Sequence, residues 1–266
     1  MTRRAGAGTR SAPELDGAVG TYPWTLRTGG NLAPVDRRRL VVDLAGVHVH
    51  NAAGRLAVVL RLNSGRRAEV AAERLRPPES ILTRAAEATA VRHLPTTLLN
   101  HSQRTFRFAM ALGELERIEV DTELLYAAAL LHDTGLVLTD GAGDFTLASA
   151  RLAGEVAERV GLSTAATETL QTAITMHHSP RVPRDAGAVA YLLAAGAGVD
   201  VVGLRSGELP RAAVDDAVHA YSRAGFKKYF ARAWIDEAAR VPLGRAELLR
   251  RYGAFSLAIR LAPFDD

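Results

Sequence analysis

Three stretches of this 266-residue chain place side chains able to bind a metal ion in apolar surroundings. His101 stands in Asn100-His101-Ser102. His132 and Asp133 close the run Tyr126-Ala127-Ala128-Ala129-Leu130-Leu131, and Asp200 sits between Val199 and Val201 in a segment rich in Ala, Gly and Val. A carboxylate in such surroundings is costly unless it is paired or bound to a cation. His132 and Asp133 are adjacent and would point about 100° apart on a helix, so both can serve one ion only near a helix end, where Gly135 provides a stop. Two imidazoles with two carboxylates suit a divalent transition metal such as Zn, with Fe or Mn as alternatives, and do not suit Ca. The chain has no cysteine, which removes disulfides, thiolate ligands and a thiol nucleophile together.

These residues also carry a resemblance. Leu98-Leu99-Asn100-His101-Ser102 with Arg104-Thr105, Leu130-Leu131-His132-Asp133-Thr134-Gly135-Leu136 and the downstream Asp200 resemble the HD-domain metal hydrolase superfamily over roughly residues 78–260. Asp144-Phe145 and Ala173-Ile174 with His177 are similar to its cyanamide-hydratase-like branch. The resemblance implies His101, His132, Asp133 and Asp200 as metal ligands and His177 as a proton donor or substrate contact. Thr146 stands where the branch has Glu, at a position expected to meet substrate. Many two-metal members of the superfamily insert two further, well-separated His between the His-Asp pair and the last Asp; the 134–199 interval here holds only the adjacent His177 and His178, so the resemblance implies one metal. His178 is expected to face solvent. His48, His50, His93 and His219 have no partner in the sequence and read as structural or surface residues.

The chemistry expected of such a site is hydration or hydrolysis of a small molecule. A bound cation lowers the pKa of water towards ~7, and the resulting hydroxide would add to an electrophilic carbon of cyanamide or nitrile type. Asp133 would take the water proton, while His177 or Asn100 would stabilise charge developing on nitrogen. The alternative is a phosphohydrolase of a nucleotide or small phosphate ester. Arg104, three residues after His101, would then meet the phosphate, with Lys227 and Lys228 in reserve. A non-catalytic metal-binding regulatory module is the third reading.

These side chains need helices to position them. From Ser80 onwards apolar residues recur at helical spacing, with Asp121 placed to cap a central helix through Leu131 and further helices expected over 145–160, 163–177, 186–204, 210–223, 227–239 and 244–258. The fold expected is mainly α: an HD-domain-like helical bundle over 78–266. A partly irregular N-terminal extension over 1–77 would precede it, carrying a short β-hairpin or meander between 39 and 75, where Val- and Leu-rich runs are separated by Gly/Asn clusters. Pro77-Pro78 marks the boundary. No internal repeat or coiled-coil heptad is expected.

Composition is that of a globular chain, 48% apolar and 23% charged. The sequence pI of 9.7 invites a nucleic-acid partner. However, the basic excess sits in residues 1–80, with 13 Arg against 7 Asp+Glu, while 81–266 carries 20 Lys+Arg against 22 Asp+Glu. A small-molecule substrate is therefore the expected partner, a homo-oligomer is compatible, and neither nucleic acid nor membrane is expected. No targeting segment is evident and a cytoplasmic location is expected.

Overall fold

The computed structural model describes residues 17–138 and 143–266, and among these every regular element is helical. The expected hairpin or meander is not found. A 26-residue helix, Pro34–Val59, replaces it, followed by short 3-10 turns at Ser64–Arg66 and Ala72–Leu75. Pro34 occupies the first turn, where its missing N–H leaves no bond unmade. Leu40 and Leu44, four residues apart, are the side chains this segment buries, which is a helical period and not a strand period. The Asn51-Ala52-Ala53-Gly54 cluster lies inside the helix, flanked by Arg, Leu and Ala of high helix propensity. Of the partly irregular extension expected over 1–77, residues 1–16 lie outside the described residues, and Tyr22–Thr28 is helical.

In chain order the helices are α1 (Tyr22–Thr28), α2 (Pro34–Val59), α3 (Ile81–His93), α4 (Thr96–Glu116), α5 (Thr122–Leu131) and α6 (Phe145–Arg159), then α7 (Thr164–Met176), α8 (Ala188–Val202), α9 (Arg211–Ala220), α10 (Phe226–Arg240), α11 (Arg245–Tyr252) and α12 (Phe255–Arg260). Their starts follow local chemistry. The Ser80 hydroxyl accepts from Thr83 N at 3.2 Å while Ser80 N donates to the Thr83 hydroxyl at 2.8 Å, a reciprocal cap that opens α3. The Asp121 carboxylate accepts from Glu123 N and Leu124 N and opens α5. The single helix expected over 244–258 is broken at Gly253-Ala254, with Ala254 at φ 46°.

The core is one contiguous apolar cluster that also takes in Trp24, Leu40 and Leu44, so α1 and α2 share it with the bundle. α5 is apolar all round and buried from Leu124 to Leu131, as a central helix should be. α4 and α8 form the most extensive helix pair. A Cβ on Gly196 would lie 2.3 Å from Thr105 O and 2.8 Å from Ala109 N, so only glycine lets α8 approach the α4 backbone this closely. One turn later on the same face of α8 comes Asp200, opposite His101 and Arg104 of α4. No helix among the described residues is long and apolar enough to cross a membrane.

Candidate metal centre

α5 delivers His132 as its last cap residue, and the backbone then leaves the helical region at Asp133 (φ −106°, ψ 7°). A turn at Thr134–Leu136 follows, held against the start of α6. A Cβ on Gly135 would fall 1.9 Å from Phe145 O, and Gly135 N donates to the Ser149 hydroxyl at 2.8 Å. This bend brings the Asp133 carboxylate alongside its own neighbour. Asp133 Oδ2 lies 3.4 Å from His132 Nε2 and 3.4 Å from His101 Nε2, and the two Nε2 atoms are 3.2 Å apart. His101, His132 and Asp133 are buried, and among the described residues they form the cluster whose ligand atoms converge closely enough to hold one ion.

The tautomers follow from the opposite ring edges. His132 Nδ1 lies 2.7 Å from Ala129 O and His177 Nδ1 lies 2.6 Å from Ile174 O, both acceptors only, so each Nδ1 donates and each Nε2 keeps its lone pair. His101 Nδ1 makes the same kind of bond to Asp200 Oδ2 at 2.7 Å. Both oxygens of Asp133 are buried without a hydrogen-bond donor. Lone pairs facing a carboxylate that has no donor leave those acceptors unsatisfied, and a cation is what satisfies them. The spacing also suits the ion. Tetrahedral zinc with bonds of about 2.0–2.1 Å separates its ligand atoms by about 3.3–3.4 Å.

Without an ion, protons compete for the same lone pairs. Burial opposes ionisation of Asp133, but His132, His101 and His177 outweigh it and hold the carboxyl well below its usual range. Burial also opposes protonation of His101, yet the carboxylates of Asp133 and Asp200 on either side raise its pKa. His177 goes the other way, because burial keeps its ring neutral. Its Nε2 lies 3.5 Å from Asp133 Oδ1, and its ring meets that of His132 edge-on at 4.7 Å.

Other expected site residues fall elsewhere. Asp200 lies across the His101 ring from the converging atoms and belongs to a buried ion-pair group. Arg104 grips it through Nε to Oδ1 and Nη2 to Oδ2, both at 2.8 Å, and Arg223 Nη1 donates to Oδ1 as well. Arg104 is therefore enclosed and charge-matched, with Nη1 donating to Tyr221 O and Ser222 O. The Asn100 amide donates to Ser222 O at 3.0 Å and helps hold the same connection. The Thr146 hydroxyl donates to Asp144 Oδ1 at 2.6 Å and accepts from Arg245. Lys227 Nζ donates to Ala262 O at 3.2 Å, while Lys228 lines a separate groove along α10 with Tyr229 and Arg232.

The cluster opens into a cavity of about 1250 Å³ that runs to the inner side of α2 at Asp43, Val47 and His50. His178, expected in solvent, is buried in its wall. Its ring stacks on Phe145 at 4.9 Å and meets Trp234 edge-on at 5.4 Å, and neither ring nitrogen has a hydrogen-bond partner. Burial, with Arg245 nearby, holds its pKa well below the ordinary histidine value. Nothing in the sequence marked His178 apart from its neighbour. Arg223, in the loop between α9 and α10, closes the Asp200 group and was missed because its partner lies 23 residues away in α8.

Residues 98–211, from α4 to the first residue of α9, match the family described as HD domain. The match supports the HD-domain superfamily for this segment, and HD domains are typically metal-dependent hydrolases. No curated protein matches the chain.

Proposed function

We propose that this chain, with an HD domain over residues 98–211, is a mononuclear metal-dependent hydratase or hydrolase of a small molecule bearing an electrophilic carbon of cyanamide or nitrile type. The observation that carries the reading is the set of Nε2 lone pairs turned towards an Asp133 carboxylate that has no hydrogen-bond donor. His101, His132 and Asp133 would hold one divalent ion, which when bound supplies Lewis acidity and an acidified water.

The chain's own residues do the rest. Asp200 orients His101 through Nδ1 and strengthens its basicity, as carboxylates behind ligating histidines do. Neutral His177 takes a proton at Nε2 beside Asp133 Oδ1 and passes it to the substrate nitrogen. His178 offers one donor and one acceptor to a substrate lying against Phe145 and Trp234. Residues facing the apolar part of the cavity, Phe230 and Val201 among them, exclude water from the substrate body. The cavity volume admits substituents well beyond a bare nitrile.

The phosphohydrolase alternative loses its expected cation, because Arg104 is taken up by Asp200. The test is metal content of freshly purified protein, then parallel assays on that sample for urea from cyanamide, ammonia or carboxamide from larger nitriles, and phosphate from nucleotides. About one metal per chain with nitrile-type turnover, both lost in His132→Ala, supports the proposal. Phosphate release moves the assignment to the alternative. Metal without turnover on any substrate favours a regulatory module. No metal and no product after adding Zn²⁺, Mn²⁺ or anaerobic Fe²⁺ refutes the site.

A further inference from the structure

α2 buries Leu40 and Leu44 on one side, yet its opposite side is apolar too. Val35, Val42, Val49 and Leu56 recur every seven residues, and all four are exposed, Val42 at 71% and Val49 at 72%. Three residues after each come Arg38, Ala45, Ala52 and Val59, also exposed, with Val59 at 77%. These are the a and d positions of a heptad, arranged as one stripe along the solvent side of the helix. A helix apolar on both sides is normally covered on both, and soluble monomers rarely show a contiguous apolar patch above a few hundred Å².

We propose that this stripe pairs with the same stripe of a second copy of the chain, antiparallel, about a two-fold axis that crosses the stripe at the height of residue 47. Side-chain size selects that occupant and that direction. In an antiparallel pair each a position meets a d position of the partner. With residue numbers in each contact adding to 94, Val42 meets Ala52, Val49 meets Ala45, Val35 meets Val59, and Leu56 lies along the stem of Arg38. Large against small repeats through the centre, which is how facing helix surfaces interdigitate. A parallel pair would set Val on Val and Ala on Ala, leaving alternate layers crowded and empty.

Charge agrees. α2 carries Arg37, Arg38 and Arg39 at its start. A parallel pair would stack the two triplets, whereas the antiparallel pair separates them by about 27 Å, beyond the ~8 Å screening length at physiological salt. The area sets the strength. From Val35 to Val59 the stripe is about 36 Å long and about 10 Å wide, or about 700 Å² over both copies. That lies below the ~1,200 Å² of a standard stable interface and corresponds to a weak, concentration-dependent dimer. The pairing would brace α2 from outside, while α2 borders the cavity along its inner side and at Val42 of the stripe.

The test is sedimentation of the full chain from about 1 to about 100 micromolar, a range that brackets a micromolar constant. The weight-average mass should rise from 28.4 kDa towards twice that value. The double variant Val42→Glu, Val49→Glu should stay monomeric throughout, with an unchanged circular-dichroism spectrum, and Ala52→Arg should do the same by filling the small side of the two layers that Val42 enters. Orientation is read from engineered cysteines, for which the chain offers a clean background. Val42→Cys mixed with Ala52→Cys should give a hetero-disulfide, and neither should cross-link with itself. A monomer at every concentration, or a dimer that survives both variants, overturns the proposal. Self-linking of Val42→Cys overturns the antiparallel direction, and binding to anionic vesicles without self-association overturns the choice of a second copy.

Discussion

Replacing Asp200 by Asn should destabilise the metal-free protein by an amount that the buried ion-pair group sets. The substitution keeps the shape of the side chain and removes its charge. It leaves Arg104, with no exposed surface, and Arg223, 2% exposed, without the carboxylate they share. Burial already pushes the Arg223 guanidinium below its ordinary value, and Asp200 is the main influence opposing that. Removing one partner of a buried pair costs about 3–5 kcal/mol, because the remaining charge stays enclosed. At this chain length that corresponds to a fall of about 6–10 °C in Tm. The assay is calorimetric melting in chelator, so that loss of metal cannot contribute. Adding Arg104→Met to Asp200→Asn should recover part of the loss, less what the Tyr221 and Ser222 carbonyls forfeit when Arg104 goes. A melting point for Asp200→Asn within about 2 °C of the parent, far inside the fall expected for a buried pair, would refute the reasoning.

Gly196→Ala should destabilise by about 1–3 kcal/mol in urea unfolding, although Gly to Ala in a helix ordinarily gains ~1 kcal/mol, because the new Cβ meets backbone atoms of α4. A net gain would mean that α4 and α8 are not in such close contact. Glu237, buried and bonded to Phe145 N and Arg240, has a pKa raised above 4.5, chiefly by burial. Its folded value therefore lies above its unfolded one, and its stabilising contribution, complete at low pH, is lost as pH rises through the folded value. Stability profiles of the parent and of Glu237→Gln should thus diverge as pH climbs from about 4.5, with the parent losing more; parallel profiles would contradict this.

What the sequence made legible is what local rules govern. The caps at Ser80 and Asp121 use side chains within three residues of the bonds they make. The bend after His132 is announced by Gly135, and three of the metal-capable residues do converge. Between 39 and 75 the β-branched content suggests strands, but the four-residue period of buried Leu40 and Leu44 prevails and the chain is helical there as far as Val59. Val41, Val42, Val47 and Val49 fall in short β-branched runs that suggest strands, and the seven-residue spacing of Val42 and Val49 gains meaning only on a continuous helix. The roles of Arg104 and Asp200 were illegible for another reason. Their pairing spans 96 residues, and nothing near either one indicates that the carboxylate turns towards guanidinium groups. His178, expected in solvent, lines the cavity instead, since adjacent residues at a helix end point in different directions and here only His177 reaches Asp133.

The same long span governs how the molecule comes into being. Segments near the N-terminus leave the ribosome first, so α4 and α5 emerge, with His101, Arg104, His132 and Asp133, well before α8 does. Until Asp200 arrives, Arg104 has no buried counter-charge, and α4 gains nothing by turning that face inwards. The Arg104 side of α4 therefore acquires its buried counter-charge only when α8 docks against it. A ribosome stalled before Gly196 would carry His101, His132 and Asp133 without the Asp200 carboxylate that orients the His101 ring.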